Sequence, residues 1–536
     1  MTKGMVCAPQ PEAVEEGLNI LKAGGNVVDA AIGAALVQTV VDPQMCGIAG
    51  FGSMHIYMAH SGTHELIDFH GRAPSTVSPE MWQDRIVREC DDGFGFILRD
   101  RVNEIGYQSM TTPMTLRAFA TALARHGSRS LADVIEPAVT YCEEGFVVRP
   151  KVFEFWTRGE ENGRIARVHG LKDFAATAKI YTKPDSTLYR VGEILRNPDL
   201  GQTYRRLAAD GADDFYTGAI SRQIIADMKA NGGLITTADL AACQPEIAAP
   251  FVTDYRGFHV ATNPLPGGGL MLLLMLNILE NFELEKLGHN SSSYIAIVAE
   301  AMKIATVDKD SRMGDPRFLD IPIDELSSKS YAKRMADRIR RGKKTIVPRV
   351  NSGGSESRDT THICVADTQG NCVSMTHSLG SSSGVVTDGL GFMYNNCMMV
   401  FDPRPGTAGS LAPGKARFSA ISPTIIFKGA EPFLVVGAPG GTTITMGILQ
   451  AILNVIDFGM SAQEAVCAPR FMATSNTIEV TNRILRSTER ELQDLGYPTL
   501  RHAQSYLRPA VHAIRMIDGT FDGGADPAGD GMACRV

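Results

Sequence analysis

After Val350 the chain runs Asn-Ser-Gly-Gly-Ser-Glu-Ser-Arg-Asp without an apolar side chain, then changes character abruptly at Thr360. Such a run has nothing to bury, so the end of the stretch 345–359 predicts an exposed linker. From Thr360 to Ser378 the sequence reads Thr-Thr-His-Ile-Cys-Val-Ala-Asp-Thr-Gln-Gly-Asn-Cys-Val-Ser-Met-Thr-His-Ser. Two β-like runs flank a five-residue turn with glycine at its tight point, which predicts a hairpin. Centring the turn on Gln369 sets Thr360 opposite Ser378, where Cβ atoms of paired residues lie about 5 Å apart. The bland alternative is a loop between lobes followed by an ordinary strand, since threonine is common at strand starts.

A threonine hydroxyl becomes a nucleophile only when a base takes its proton, and a free α-amino group on the same residue can be that base. Its reference pKa is about 7.7–8.0. Exposing that amine inside a chain requires cleavage of the preceding peptide bond, and a linker running into a threonine and then a strand is the arrangement required. A second element points the same way. Pro432–Val436 reads as a strand, followed by Gly437-Ala-Pro-Gly-Gly-Thr-Thr and an apolar helix over Ile444–Val455. A glycine turn at a helix start presents unpaired backbone N–H groups to negative charge. With no Lys in the turn, it suits an oxyanion better than a nucleotide phosphate.

Composition narrows the class. With 536 residues, 44% of them hydrophobic and 21% charged, the chain has ample apolar surface for a large core. The net charge of −7 and the dispersed basic residues argue against a nucleic-acid or anionic-membrane surface. Ten cysteines form no CxxC pair and read as reduced core thiols. The longest strongly apolar run, Gly269–Leu279, is too short to span a bilayer, and the N-terminus has no apolar signal region. The expected location is cytoplasmic. Pro11–Leu21 and Asp29–Val41 read as helices. His55, His60, His64 and His70 crowd one region, but their spacings match no zinc pattern and no metal is expected.

Motifs along nearly the whole chain resemble the gamma-glutamyltransferase family of N-terminal-nucleophile (Ntn) hydrolases. They include Ile20-Leu-Lys-Ala-Gly-Gly-Asn-Val-Val-Asp-Ala-Ala31, Asp42-Pro-Gln44, Asp68-Phe-His-Gly-Arg-Ala-Pro74, Tyr255-Arg-Gly257 and Pro266-Gly-Gly-Gly269. Thr360-Thr-His362, Gly370-Asn371, Ser422-Pro-Thr424, Gly437-Ala-Pro-Gly-Gly441 and Ala468-Pro-Arg470 complete the series. The resemblance implies an α+β fold, an αββα four-layer sandwich of two antiparallel sheets. It implies self-cleavage between Asp359 and Thr360 into a large subunit, 1–359, and a small one, 360–536. These remain one intertwined heterodimer, or a dimer of such heterodimers. It implies Thr360 as nucleophile, Ser378 as the hydroxyl supporting it, Gly440 and Gly441 as oxyanion donors, and no cofactor.

The departures fall on the contacts that hold a γ-glutamyl group in such families. Gly380 stands where an Asn meets the α-amine, and Cys397 and Val400 replace a Gln and an Asp. An ammonium ion without a partner in a pocket is costly. On the carboxylate side His70 replaces an Arg, Arg72 is the expected substitute two residues on, and a serine pair becomes Ser419-Ala420. Arg404 and Arg417 could assist that contact too, although arginines near loops are usually just solvated. Cys397 reads as pocket wall rather than nucleophile. The lid loop is shortened to Phe401–Lys415, which favours water as acceptor and resembles the acylase-like branch. The expected substrate is a small amide bearing a carboxylate but no free α-amine. The alternatives are a true γ-glutamyl hydrolase or transpeptidase acting on glutathione-like compounds, and a non-maturing binding or scaffold homologue.

Overall fold

The helix expected from Asp29 begins two residues earlier, because Asn26 caps it. The Asn26 side chain accepts from Val28 N and Asp29 N at 2.9 and 3.1 Å, while Asp29 accepts in return from Asn26 N at 2.8 Å. This reciprocal box satisfies donors that a helix start leaves orphaned. All residues of the Val27–Val41 helix are buried, and its small side chains let the Pro11–Lys22 helix pack closely across it. The computed structural model describes residues 3–91, 93, 95–348, 359–506 and 509–536. Most of the expected linker, 349–358, lies outside the described residues.

Two antiparallel sheets form the centre. Across the first, the strand order is Met532–Arg535, Gly4–Ala8, Thr361–Asp367, Cys372–Ser378, Phe51–Met58, Thr63–Phe69 and Glu246–Ala248. Across the second it is Thr520–Ala525, His512–Ile517, Glu431–Gly437, Thr424–Lys428, Phe258–Thr262 and Phe251–Tyr255. The Val27–Val41 helix covers the outer face of the first sheet, and Gly269–Leu279 and Ile444–Ile456 cover the outer face of the second. The result is the αββα sandwich.

Strand periodicity sorts side chains between these layers. Ile363, Val365, Val373 and Met375 point toward the helices, whereas Cys364, Ala366 and Cys372 meet Ile425, Val435 and Ile514 between the sheets. The Gly269–Leu279 run is a fully buried core helix. No helix among the described residues is long and apolar enough to cross a membrane. No disulfide joins any of the ten cysteines among the described residues, and seven of them are buried.

The hairpin has the predicted register, with Thr361 opposite His377 and His362 opposite Thr376. Gln38 of the buried helix pins it from outside. The Gln38 amide nitrogen donates to Thr361 Oγ1 at 3.1 Å, and its oxygen accepts from His377 Nε2 at 2.8 Å. Burial lowers the His377 pKa to about 3, so the ring stays neutral. On the inner face the His362 imidazole fills the space left by a missing side chain at Gly437. A Gly437→Ala change sets a methyl group against that ring. It should lower stability by about 1–3 kcal/mol, measured as denaturant unfolding in a Thr360→Ala background. Unchanged stability would mean that the two sheets separate more easily than this packing implies.

Candidate active site

Both strands of the hairpin end at an open edge of the inter-sheet layer, and there Thr360 Oγ1 lies 2.9 Å from Ser378 Oγ. Gly380 N donates to Ser378 Oγ at 2.9 Å. Either hydroxyl can donate across this contact, and with Ser378 as donor its proton would steady a developing negative charge on Thr360 Oγ1. Thr360 has φ +122°, a value rarely adopted by a β-branched residue. Such strain, of order 1–3 kcal/mol, persists only where neighbouring contacts over-determine the backbone.

The glycine turn faces this pair. After the Glu431–Gly437 strand come Ala438 and Pro439, then a helical turn at Gly441–Thr443 leading into the Ile444–Ile456 helix. Gly440 has φ +141°, and a Cβ there would sit 2.7 Å from Pro509 Cα, so no other residue fits easily. As the first residues of a helical start, Gly440 and Gly441 have N–H groups with no acceptor inside the helix. Gly441 lines the same cleft as Thr360 and Ser378.

Most of the cleft wall is apolar, formed by Phe51, Met399, Val400, Phe418, Ile421 and Ile444. His70, Gly380, Cys397, Ser419 and Ala420 all line it, as their motif positions imply. Asp68 Oδ2 lies 2.7 Å from His70 Nδ1, which fixes the ring and leaves Nε2 buried with no hydrogen-bond partner among the described residues. Ser419 Oγ accepts from Ile421 N at 3.3 Å. Burial pushes the Cys397 thiol well above its ordinary range. Among the described residues of the lining, Arg417 is the one Lys or Arg, its Nε donating to Val400 O at 2.6 Å.

Arg72 is a correction. The strand that was to carry it on the same face as His70 ends at Phe69. Arg72 lies outside the cleft and pairs with Glu246 at 2.6 Å. Arg404 is likewise elsewhere, bonded to Asp402 and Glu89. The shortened loop does not line the cleft, because Phe401 and Leu411 pack against Trp82, Val77 and Leu98. Of the four clustered histidines, His55 and His64 lie on strands with their Nε2 atoms 2.8 Å apart, His55 Nδ1 facing Pro423 O.

Two partners of the expected cleavage-site residue Asp359, Ser381 and Arg167, escaped sequence reasoning. Asp359 is buried in the cleft, and its Oδ2 receives Ser381 Oγ at 2.5 Å and Arg167 Nη2 at 3.2 Å. Arg167 comes from 192 residues upstream, and only the density of arginines at 158, 164 and 167 hints at an anion nearby.

A family model described as gamma-glutamyltranspeptidase matches residues 13–536. The acylase ACY 1 proenzyme of Pseudomonas sp. (strain SE83) is 36% identical over 542 residues, spanning 100% of this chain and 94% of the relative. The glutathione hydrolase proenzyme of Escherichia coli (strain K12) is 34% identical over 492 residues, 88% of this chain and 80% of its own. Among solved structures, cephalosporin acylase from Bacillus halodurans superposes with a TM-score of 0.87 at 28% identity, over 99% of this chain and 96% of that one.

The Cys397 environment makes a chemical prediction. With its pKa raised, the thiol stays protonated at pH 8 and is a poor nucleophile. Native protein treated with iodoacetamide at pH 8 should carry no adduct at Cys397 by peptide mass mapping. Rapid labelling at that residue would show a reactive thiolate in the cleft instead.

Proposed function

Because the chain belongs to the gamma-glutamyltranspeptidase family, whose members are Ntn amidohydrolases and acyltransferases, we propose that it matures by cutting its own Asp359–Thr360 bond and then hydrolyses amides of small carboxylate-bearing acids. The observation that carries the substrate reading is the charge of the cleft. Among the described residues lining it, Asp359 is the only acid, and its carboxylate is already engaged by Arg167 and Ser381. An α-ammonium group would find Gly380, Cys397 and Val400 where the family pattern has polar partners. A carboxylate would find Arg417, with His70 Nε2 as a second polar atom.

Thr360 Oγ1 attacks the substrate carbonyl while the free α-amine of Thr360 takes its proton and passes it to the departing amine. The Gly440 and Gly441 N–H groups hold the oxyanion, and Ser378 donates to Thr360 Oγ1. Water then releases the acid from the Thr360 ester. Nothing from the 401–415 loop covers the cleft, which favours water over a second amine as acceptor.

Intact mass measurement should find two fragments, the smaller beginning at Thr360, and a single full-length mass in Thr360→Ala. One uncut mass in both proteins would favour a binding homologue that never matures. Mature protein should hydrolyse N-succinyl or N-glutaryl amides in preference to glutathione. The reverse preference would replace this reading with that of a γ-glutamyl hydrolase. Arg417→Met should raise KM for the acidic substrates by about ten- to a hundredfold, the worth of a charge-assisted hydrogen bond. Its effect on uncharged acyl analogues should be small, and equal losses on both would remove Arg417 from substrate binding.

A further inference from the structure

The peptide bond between Asp359 and Thr360 is held from both ends. On the Thr side, Thr361 is the first residue of the ladder, paired with His377 and tied to Gln38. On the Asp side, the carboxylate is an anchor among the described residues. Asp359 is 2% exposed, and its Oδ2 meets both Ser381 Oγ and Arg167 Nη2.

Both of those partners are themselves fixed. Ser381 N donates to Asn396 Oδ1 at 2.8 Å, and Asn396 Nδ2 donates to Glu104 O at 2.9 Å. Arg167 N donates to Arg158 O at 3.0 Å, and its guanidinium sits 5.4 Å from the Phe155 ring centre. Arg158 and Arg164 share one small recess with it. Glu161 is the acid among the described residues lining that recess, and Arg167 reaches from it to Asp359 in the cleft.

We propose, on the reading that this bond is cut by Thr360, that Arg167 together with Ser381 is a positioning device for maturation, holding the Asp359 carbonyl where Thr360 Oγ1 can reach it. A strained torsion relaxes at its least-held joint, and Thr360 φ, at +122°, is the torsion between the two anchors. Releasing the Asp359 carboxylate lets the peptide swing toward a relaxed φ and takes the carbonyl away from the hydroxyl. In the step itself, Oγ1 bonds to the Asp359 carbonyl carbon and the C–N bond breaks. The hydroxyl proton ends on the Thr360 nitrogen. Water then splits the resulting ester into the Asp359 α-carboxylate and the Thr360 hydroxyl. Arg167 takes no part in these transfers, so its effect is on the rate of cleavage.

The test follows fragment appearance after a pulse of cell-free synthesis of the full chain. Arg167→Met and Asp359→Asn should each slow cleavage by about tenfold or more. The double variant should be no slower than the slower single one, because both remove the same contact. Arg167→Lys should recover part of the rate, and Ser381→Ala should slow it as well. Thr360→Ala and Thr360→Ala/Arg167→Met precursors should melt together, separating positioning from loss of fold. Cleavage of Arg167→Met at the unmodified rate, or fully multiplicative effects in the double variant, would overturn the proposal alone. No cleavage of the unmodified chain would overturn both it and the maturation reading.

Discussion

The site depends on a pairing register. A slip of one residue in the Thr361–Asp367 and Cys372–Ser378 ladder would exchange the faces of every side chain and send the Thr360 hydroxyl into the helix layer. Several independent features hold the ladder in place. Gln38 reads both members of the Thr361–His377 pair from the buried helix, and His362 fits against Gly437 of the opposite sheet. The turn is closed by Asp367, whose carboxylate accepts from Gln369 N and Asn371 N at 2.9 Å each. The 2.9 Å hydroxyl pair at the mouth is the end of this sequence of constraints.

Much of this was legible because the relevant signals are local. The turn centred on Gln369 sets the cross-strand partners by geometry, and the glycine turn after Gly437 announces its own helix start. What was not legible depends on distant partners. Arg72 and His70 sit two apart, which on a continuing strand would share a face, but the strand stops at Phe69 and Arg72 turns to Glu246. Arg167 could not be matched to Asp359 from spacing, since a loop excursion in one region meets a chain segment far downstream. Arg404 and Arg417 are not distinguishable by spacing; Arg417 lines the cleft, whereas Arg404 pairs with Glu89 and Asp402.

The cleft reflects a division between chemistry and selection. In the proposed mechanism the nucleophile, its hydroxyl partner and the glycine N–H groups follow from backbone placement, so they tolerate large changes in the walls around them. The walls are side-chain matters, and Cys397, Val400 and Ala420 make them apolar.

The strand order of the first sheet has a consequence for what kind of object the proposed maturation would produce. Gly4–Ala8 lies between Met532–Arg535 and Thr361–Asp367, and Cys372–Ser378 lies beside Phe51–Met58. Strands from before and after the 359–360 bond therefore interleave in one hydrogen-bonded sheet. With that bond cut, as proposed, neither piece could leave without unzipping the centre of the sandwich. Unfolding is then a dissociation as well, and two chains must find each other to reverse it. The thermal midpoint of the cut protein becomes a function of concentration, whereas that of the uncut chain is not.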